Sequence, residues 1–245
     1  MDLIYFVPYD QLHYLPLHAL LLNREPLIKN YQVVYTSGAS LLQFSRSNND
    51  YLLRKCTAYG VALGNDEKEF LEEAEKVANI FGTKPAIDVT KEQVLQSLSS
   101  DILHFSCHGY FNYEDPLSSG IVLKDNEILT AREIFSQKIK SKLVTLSACE
   151  TGISENKPGD ELIGLTRSLL YSGAQSVVVS LWSASSLATL KIMIEFYTNL
   201  RTGNNKATAL QKAQLKIKQE LGERYGNIGA HPFFWAPFIL IGDWR

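Results

Sequence analysis

Cysteine is scarce: the chain of 245 residues has three, Cys56, Cys107 and Cys149. An odd count builds no even disulfide framework, and a chain of this length buries enough surface to need none. A reducing, cytoplasmic setting is therefore expected. Long hydrophobic runs are also missing. No stretch approaches the roughly 18 apolar residues of a membrane span. The start, Met1-Asp2-Leu3-Ile4-Tyr5-Phe6, lacks the basic and long apolar parts of a secretory signal, so no membrane association is expected. Charge of one sign is lacking as well: the net charge is −2 with no basic stripe, which argues against a direct nucleic-acid binder. The G-x-S-x-G elbow, the Walker-type phosphate loop and G-x-G-x-x-G are absent. So are the C-x-x-C and H-E-x-x-H spacings of zinc sites, and no metal or organic cofactor is expected. No internal repeat of roughly 20–50 residues and no low-complexity tract interrupts the chain.

What is present is an ordinary globular composition, 45% hydrophobic and 20% charged, sufficient for one large or two small domains. Residues 1–50 read as a strand-rich segment, with apolar Leu3 to Val7, a turn at Pro8 to Asp10 and a β-branched, aromatic strand from Tyr31 to Tyr35. Ser45 to Asp50 is the most polar stretch and a candidate link. Residues 51–245 alternate strands with helices. Thr57 to Leu63 reads as a strand. Asp66 with Glu69 begins a helix whose apolar face is Phe70, Ala74, Val77, Ala78 and Phe81, and Gly82 ends it. After a short strand at Ala86 to Val89, Thr90 with Gln93 caps a second helix. A strand ends at His108, a hairpin spans Ile121 to Leu129, and Thr130 with Glu133 caps a third helix. The next strand ends at Cys149. Gly159 and Asp160 open a helix that Gly173 closes. The buried strand Ser176 to Leu181 follows, then helices over Ser186 to Arg201 and Asn205 to Leu221, and a last strand at Phe238 to Ile241. Such alternation predicts an α/β fold with a mostly parallel sheet and helices on both faces.

Two strand ends carry the chemistry. His108-Gly109 follows one apolar run and Cys149-Glu150-Thr151-Gly152 follows another, with a hairpin and a helix fitting in the 41-residue separation of His108 and Cys149. Parallel sheets place ligands and catalytic groups beyond the carboxyl ends of their strands. There an imidazole lowers the pKa of a neighbouring thiol and serves it as base and later as acid. Gly109 and Gly152 let backbone approach a substrate, and the amides of Gly109 and Cys149 are candidate oxyanion donors. A structural reading stands beside this one, since a lone cysteine is among the most buried residue types. His104 and Cys107 are read as core residues: strand alternation puts His104 and His108 on one face and Cys107 on the other. Trp182 and the following Ser183 and Ser185 can wall a cleft, or Trp182 can be ordinary core. Asp160 and Glu161 can line a specificity pocket or simply occupy a first helical turn, where carboxylates are favoured. Glu150, beside the nucleophile, can contact substrate or another loop.

These motifs, in this order, resemble the CHAT domain, a caspase-like family of cysteine peptidases related in fold to caspases and separase. The resemblance runs over nearly the whole chain. It is carried by Phe6-Val7-Pro8 to Leu15-Pro16-Leu17-His18-Ala19-Leu20, by Asp101-Ile102-Leu103-His104-Phe105 with His108-Gly109, and by Pro116-Leu117-Ser118-Ser119-Gly120. It continues through Leu146-Ser147-Ala148-Cys149-Glu150-Thr151-Gly152, Gly159-Asp160-Glu161 with Gly164-Leu165, Ser180-Leu181-Trp182 and Pro232-Phe233-Phe234-Trp235-Ala236-Pro237-Phe238. It implies a caspase-type sheet, a His108/Cys149 dyad that cleaves a protein or peptide substrate, and an N-terminal segment belonging to the same assembly. It also implies control by a sensor module, tetratricopeptide-type repeats among them, in bacterial defence or signalling; no such repeats lie in this chain. Two positions depart from the family pattern. Ser185 and Ser186 stand where an acidic pair is usual, which affects pocket charge. Cys107 stands where a small residue such as Thr precedes the histidine. A catalytically silent interaction module using the same cleft is the alternative.

Overall fold

The computed structural model describes residues 2–36, 38, 53–64, 67–112, 114–150, 161–183 and 185–245, with backbone alone at 148–150 and 161–163. The expected link at Ser45 to Asp50, the cap at Asp66 and the helix opening at Gly159 and Asp160 lie outside the described residues. In chain order the strands and helices are β1 (Asp2–Phe6), β2 (Leu21–Leu22), β3 (Glu25–Pro26), β4 (Tyr31–Tyr35), β5 (Cys56–Gly60), α1 (Lys68–Ile80), β6 (Ala86–Ile87), α2 (Lys91–Leu95) and β7 (Ile102–Tyr110). Then come β8 (Gly120–Val122), β9 (Ile128–Thr130), α3 (Ala131–Phe135), β10 (Leu143–Glu150), α4 (Glu161–Tyr171), β11 (Ser176–Ser180), α5 (Ser186–Arg201), α6 (Lys206–Gly229), α7 (Pro232–Trp235) and β12 (Phe238–Gly242). The chain divides into two compact units, Met1–Tyr51 with Ser180–Arg245 and Leu52–Val179. Among the described residues no helix is long and apolar enough to cross a membrane.

In the unit Leu52–Val179 the strand order is β11-β10-β7-β5-β6, every pair parallel, with β8 and β9 added antiparallel at the end of β7. Parallel crossovers are right-handed. The β5-α1-β6 connection steps one way along the sheet and β10-α4-β11 the other, so α1 and α4 cover opposite faces. Side chains agree. Gly60 of β5 lies under α1, where an added Cβ would come 2.9 Å from the Cβ of Ala74. The neighbouring Tyr59 faces the other way, bonding Ser97 after α2 at 2.7 Å and stacking on Phe105 at 4.7 Å. Val177, Val178 and Val179 of β11 are fully buried, as an uninterrupted apolar run between two helix layers must be.

Local chemistry sets many of these elements. Thr90 with Gln93 and Thr130 with Glu133 form reciprocal capping boxes that start α2 and α3. Gly82 (φ 67) closes the turn after α1, and Gly173 (φ 115) does so after α4, where an added Cβ would fall 2.3 Å from the Ile139 carbonyl oxygen. Several expectations change; the strand expected to run to Leu63, for one, ends at Gly60. Strand β7 continues past His108 because Gly109 and Tyr110 pair antiparallel with β8. The N-cap of α1 is Glu67, whose side chain makes no capping bond. Helix α6 runs to Gly229 rather than Leu221, broken only at Gly226 (φ 62, ψ −144). The short α7 and the β2–β3 hairpin carry too few residues to show a period.

The other unit has the parallel order β1-β4-β12, with α5 against α6. His18 lies at its centre. His18 Nδ1 is 2.9 Å from the Tyr35 hydroxyl, Nε2 is 3.2 Å from Gln214 Nε2, and the Trp235 ring meets the imidazole edge-on. Gln214 can only donate through that nitrogen, so His18 Nε2 accepts and its proton sits on Nδ1. Burial pushes the His18 imidazole down to about 3, so it is neutral at pH 7. A histidine depressed in the folded state contributes stability that is complete above its unfolded value near 6.5 and is lost as pH falls toward about 3. Between pH 6.5 and 5 the native chain should lose about 2 kcal/mol that His18→Gln does not lose, measured by urea unfolding of both proteins at the two pH values.

Candidate active site

Strands β7 and β10 pair in parallel through eight consecutive residues, from Leu143↔Ile102 to Glu150↔Gly109. Cys149 is the register partner of His108, Ser147 of Ser106 and Thr145 of His104. Alternation puts His104, Ser106 and His108 on the face that α1 covers, and the contacts confirm it. Phe70 of α1 meets the His108 ring edge-on at 4.7 Å. His108 Nε2 lies 2.9 Å from Glu67 Oε1, and His104 Nε2 lies 3.1 Å from Glu73 Oε1. Both histidines of the strand therefore meet a carboxylate from the same helix. His104 is fully buried, as its core reading requires, and Cys107 packs into the opposite side at 1% exposure.

Glu67 is held at both oxygens: Oε2 accepts the Leu63 amide at 2.7 Å, and Oε1 faces His108. Desolvation pushes this carboxyl up, but His108 and the amides of Leu63 and Gly64 outweigh it and hold the group below its ordinary value. With Nε2 turned to a carboxylate, that nitrogen carries the ring proton and Nδ1 keeps the lone pair when the ring is neutral. His108 Nδ1 is buried with no hydrogen-bond partner among the described residues, and the 2.9 Å approach of Nε2 to Glu67 is an ion-pair distance rather than an aligned hydrogen bond. The Ser106 and Ser147 hydroxyls, one row below, are likewise buried without a partner among the described residues.

The structure thus brings His108, Gly109, Cys149 and Glu150 into two adjacent register rows. Gly109 is buried, and Glu150 is described by its backbone alone; Asp160 lies outside the described residues. Trp182, Ser183 and Ser185 belong to the other compact unit. There the Trp182 indole donates to the Phe233 carbonyl at 3.1 Å and its own carbonyl accepts from the Ser180 hydroxyl at 2.6 Å, while Ser183 and Ser185 are exposed. Ser185 occupies the N-cap of α5 without a side-chain capping bond. Sequence reasoning missed Glu67 and Glu73. Glu73 has a legible signal: it falls three residues after Phe70 on the apolar stripe of α1, where a carboxylate needs a buried partner. Glu67 has none, since an acid at a helix start is ordinary.

The α/β fold that carries these strands has counterparts among solved structures. The Arg-specific cysteine proteinase gingipain R superposes with a TM-score of 0.58 at 11% identity, covering 93% of this chain and 57% of that one. Separase in the Saccharomyces cerevisiae separase–securin complex superposes with a TM-score of 0.58 at 15% identity, covering 95% of this chain and 15% of that one. These likenesses define a caspase-like fold. Residues 2–243 match the CHAT domain, and the chain belongs to that family. Tetratricopeptide repeat protein 28 from Homo sapiens is 28% identical over 212 residues, and its Mus musculus counterpart 26%. The matched region is 70% of this chain and 8% of either relative.

Because the Glu67 carboxyl is depressed in the folded state, its contribution is present above the ordinary carboxylate range and disappears as pH falls through the lowered value. Urea unfolding midpoints taken at pH 6 and pH 3 should converge for the native protein and Glu67→Gln at the lower pH and separate at the higher.

Proposed function

We propose that the chain is a caspase-like cysteine endopeptidase in which Cys149 is the nucleophile and His108 its base and acid. The observation that carries this reading is the register pairing of Cys149 with His108 at the carboxyl end of two parallel strands. His108 Nδ1 takes the thiol proton while Glu67 stabilises the imidazolium through Nε2. The thiolate attacks the scissile carbonyl carbon, and the amides of Gly109 and Cys149 hold the oxyanion. As the tetrahedral intermediate collapses, the C–N bond breaks and His108 returns its proton to the leaving amine. Water, deprotonated by the same imidazole, then cleaves the thioester and releases the acid. Glu150, Asp160, Trp182, Ser183 and Ser185 are the proposed substrate contacts, with the serines in place of an acidic pair altering the charge preferred beside the scissile bond. The relatives are tetratricopeptide repeat proteins, which supports a repeat-type sensor as the regulatory partner. A cytoplasmic role in bacterial defence or signalling is part of the same proposal and follows from the family resemblance.

The same relatives favour a second reading, a protein-interaction module using the cleft without catalysis. A peptide library varied at the residue before the scissile bond separates the two. The peptidase reading expects cleavage with a clear residue preference, lost in Cys149→Ala and lowered about 10²–10⁴-fold in kcat by His108→Ala. Cleavage that survives Cys149→Ala overturns it. Binding of library peptides without cleavage, together with a Cys149 alkylated no faster than a free thiol, supports the interaction module.

A further inference from the structure

Helix α1 presents two carboxylates to one strand, and only one of them meets the histidine of the reactive pair. The second, Glu73, is 4% exposed and lies 3.1 Å from His104, which is fully buried. A carboxylate in a core is costly unless it is paired, and an apolar residue on that stripe would pack without the cost. Its neighbours on the helix, Phe70, Ala74, Val77 and Ala78, are apolar and buried. They hold α1 against the sheet but do not fix its position along the strand, because apolar contact is non-directional. Beneath them Gly60 lets the helix approach closely without supplying a polar contact, and the Ser106 hydroxyl between the two histidines has no partner among the described residues. Among the described residues, a polar contact in the buried part of the α1–β7 interface is the 3.1 Å approach of Glu73 Oε1 to His104 Nε2, at ion-pair distance. A slide of α1 by one residue is about 1.5 Å. A displacement of that size along the contact would carry Glu67 and His108, now 2.9 Å apart, beyond ion-pair distance.

We infer that the Glu73–His104 contact is a positioning strut, which sets α1 along β7 so that the Glu67 carboxylate meets His108 Nε2. The inference rests on the reading of His108 and Cys149 as the reactive pair. His104 and Glu73 touch neither nucleophile nor substrate; they act through the helix. Among the described residues, Glu67 and Glu73 are the carboxylates at ion-pair distance from the two histidines, and the Cys149 backbone is in register with His108 on β10. Two contacts, four residues apart on the strand and six along the chain of α1, fix the helix at its buried middle and at its amino end beside the site.

The test is the rate of Cys149 alkylation by iodoacetamide against pH in the full chain, read by peptide mass spectrometry so that Cys56 and Cys107 are counted separately. Glu67→Gln, Glu73→Gln and the double variant are compared. Loss of the carboxylate on His108 weakens imidazolium support for the thiolate, so Glu67→Gln should raise the midpoint by about one unit, a tenfold smaller thiolate fraction at a given pH. Glu73→Gln should raise it in the same direction, and the double variant should go no further than Glu67→Gln alone, because both act through one contact. A shift in Glu67→Gln without one in Glu73→Gln overturns the strut and leaves the reactive pair standing, as does a double variant whose shift is the sum of the two. No shift in Glu67→Gln overturns the reactive-pair reading and the strut with it. Val77→Ala, a core truncation on the same helix, should lower the melting temperature and leave the midpoint in place; an equal shift there makes the effect general loosening and overturns the strut. If Glu73→Gln does not fold, Glu73→Asp keeps the charge but shortens the reach by one methylene: an upward shift supports the strut and an unchanged profile overturns it.

Discussion

The parallel pairing of β7 with β10 runs for eight residues without a bulge, and nearly everything of chemical interest is placed by it. In a parallel ladder a register pair fixes two residues in one row. A slip of one residue would turn every side chain to the other face. The register therefore decides at once that Cys149 lies opposite His108, that Ser147 lies opposite Ser106 and that Cys107 points away. It is fixed in turn by burial. Ile102, Leu103, Leu143, Val144 and Leu146 are closed off from water on one face or the other, so a slipped strand would exchange apolar for polar residues throughout the core.

Helix α1 adds what the strands cannot supply. Its carboxylates reach two histidines on the face it covers, and the carboxylate at its amino end is tied to the backbone of Leu63. The right-handed β5-α1-β6 crossover brings the amino end of α1 to the carboxyl ends of the strands, which is where β7 presents His108. Strand order also reverses between β5 and β7, the position at which open α/β sheets form their crevices. Topology and the orientation of one imidazole are thus linked: the same crossover that closes the sheet's face delivers the group that fixes which ring nitrogen bears the proton.

How much of this was legible in the sequence follows from which forces are local. Strand β4 and helix α5 are legible to the residue, because the β-branched and aromatic composition of the one and the helix-favouring run of the other lie in consecutive side chains. Both threonine capping boxes were read for the same reason. Strand β7 was read two residues short because its last residues are strand only through their pairing with β8, a contact that neighbouring residues do not announce. Helix α6 was cut at Leu221 because the glycines beyond it, Gly222, Gly226 and Gly229, signal an end. The fold instead uses their smallness: an added Cβ at Gly229 would come 2.0 Å from the carbonyl oxygen of Leu221. Glu67 was invisible because its role depends on where a helix end falls relative to a strand 41 residues later in the chain.

That division explains why the site can be read more securely than its specificity. A histidine and a cysteine at equivalent strand ends are carried by backbone register, and register depends on the average burial of whole strands rather than on any one loop residue. The substrate contacts proposed above include loop residues such as Ser183 and Ser185, which are exposed, so burial does not constrain their identity. The relatives point the same way: the region they share with this chain is 8% of their length, so the fold persists as a small part of a much larger repeat protein. The loops, free of the core, are the parts of the domain on which a change of substrate or partner can act without disturbing the pairing beneath.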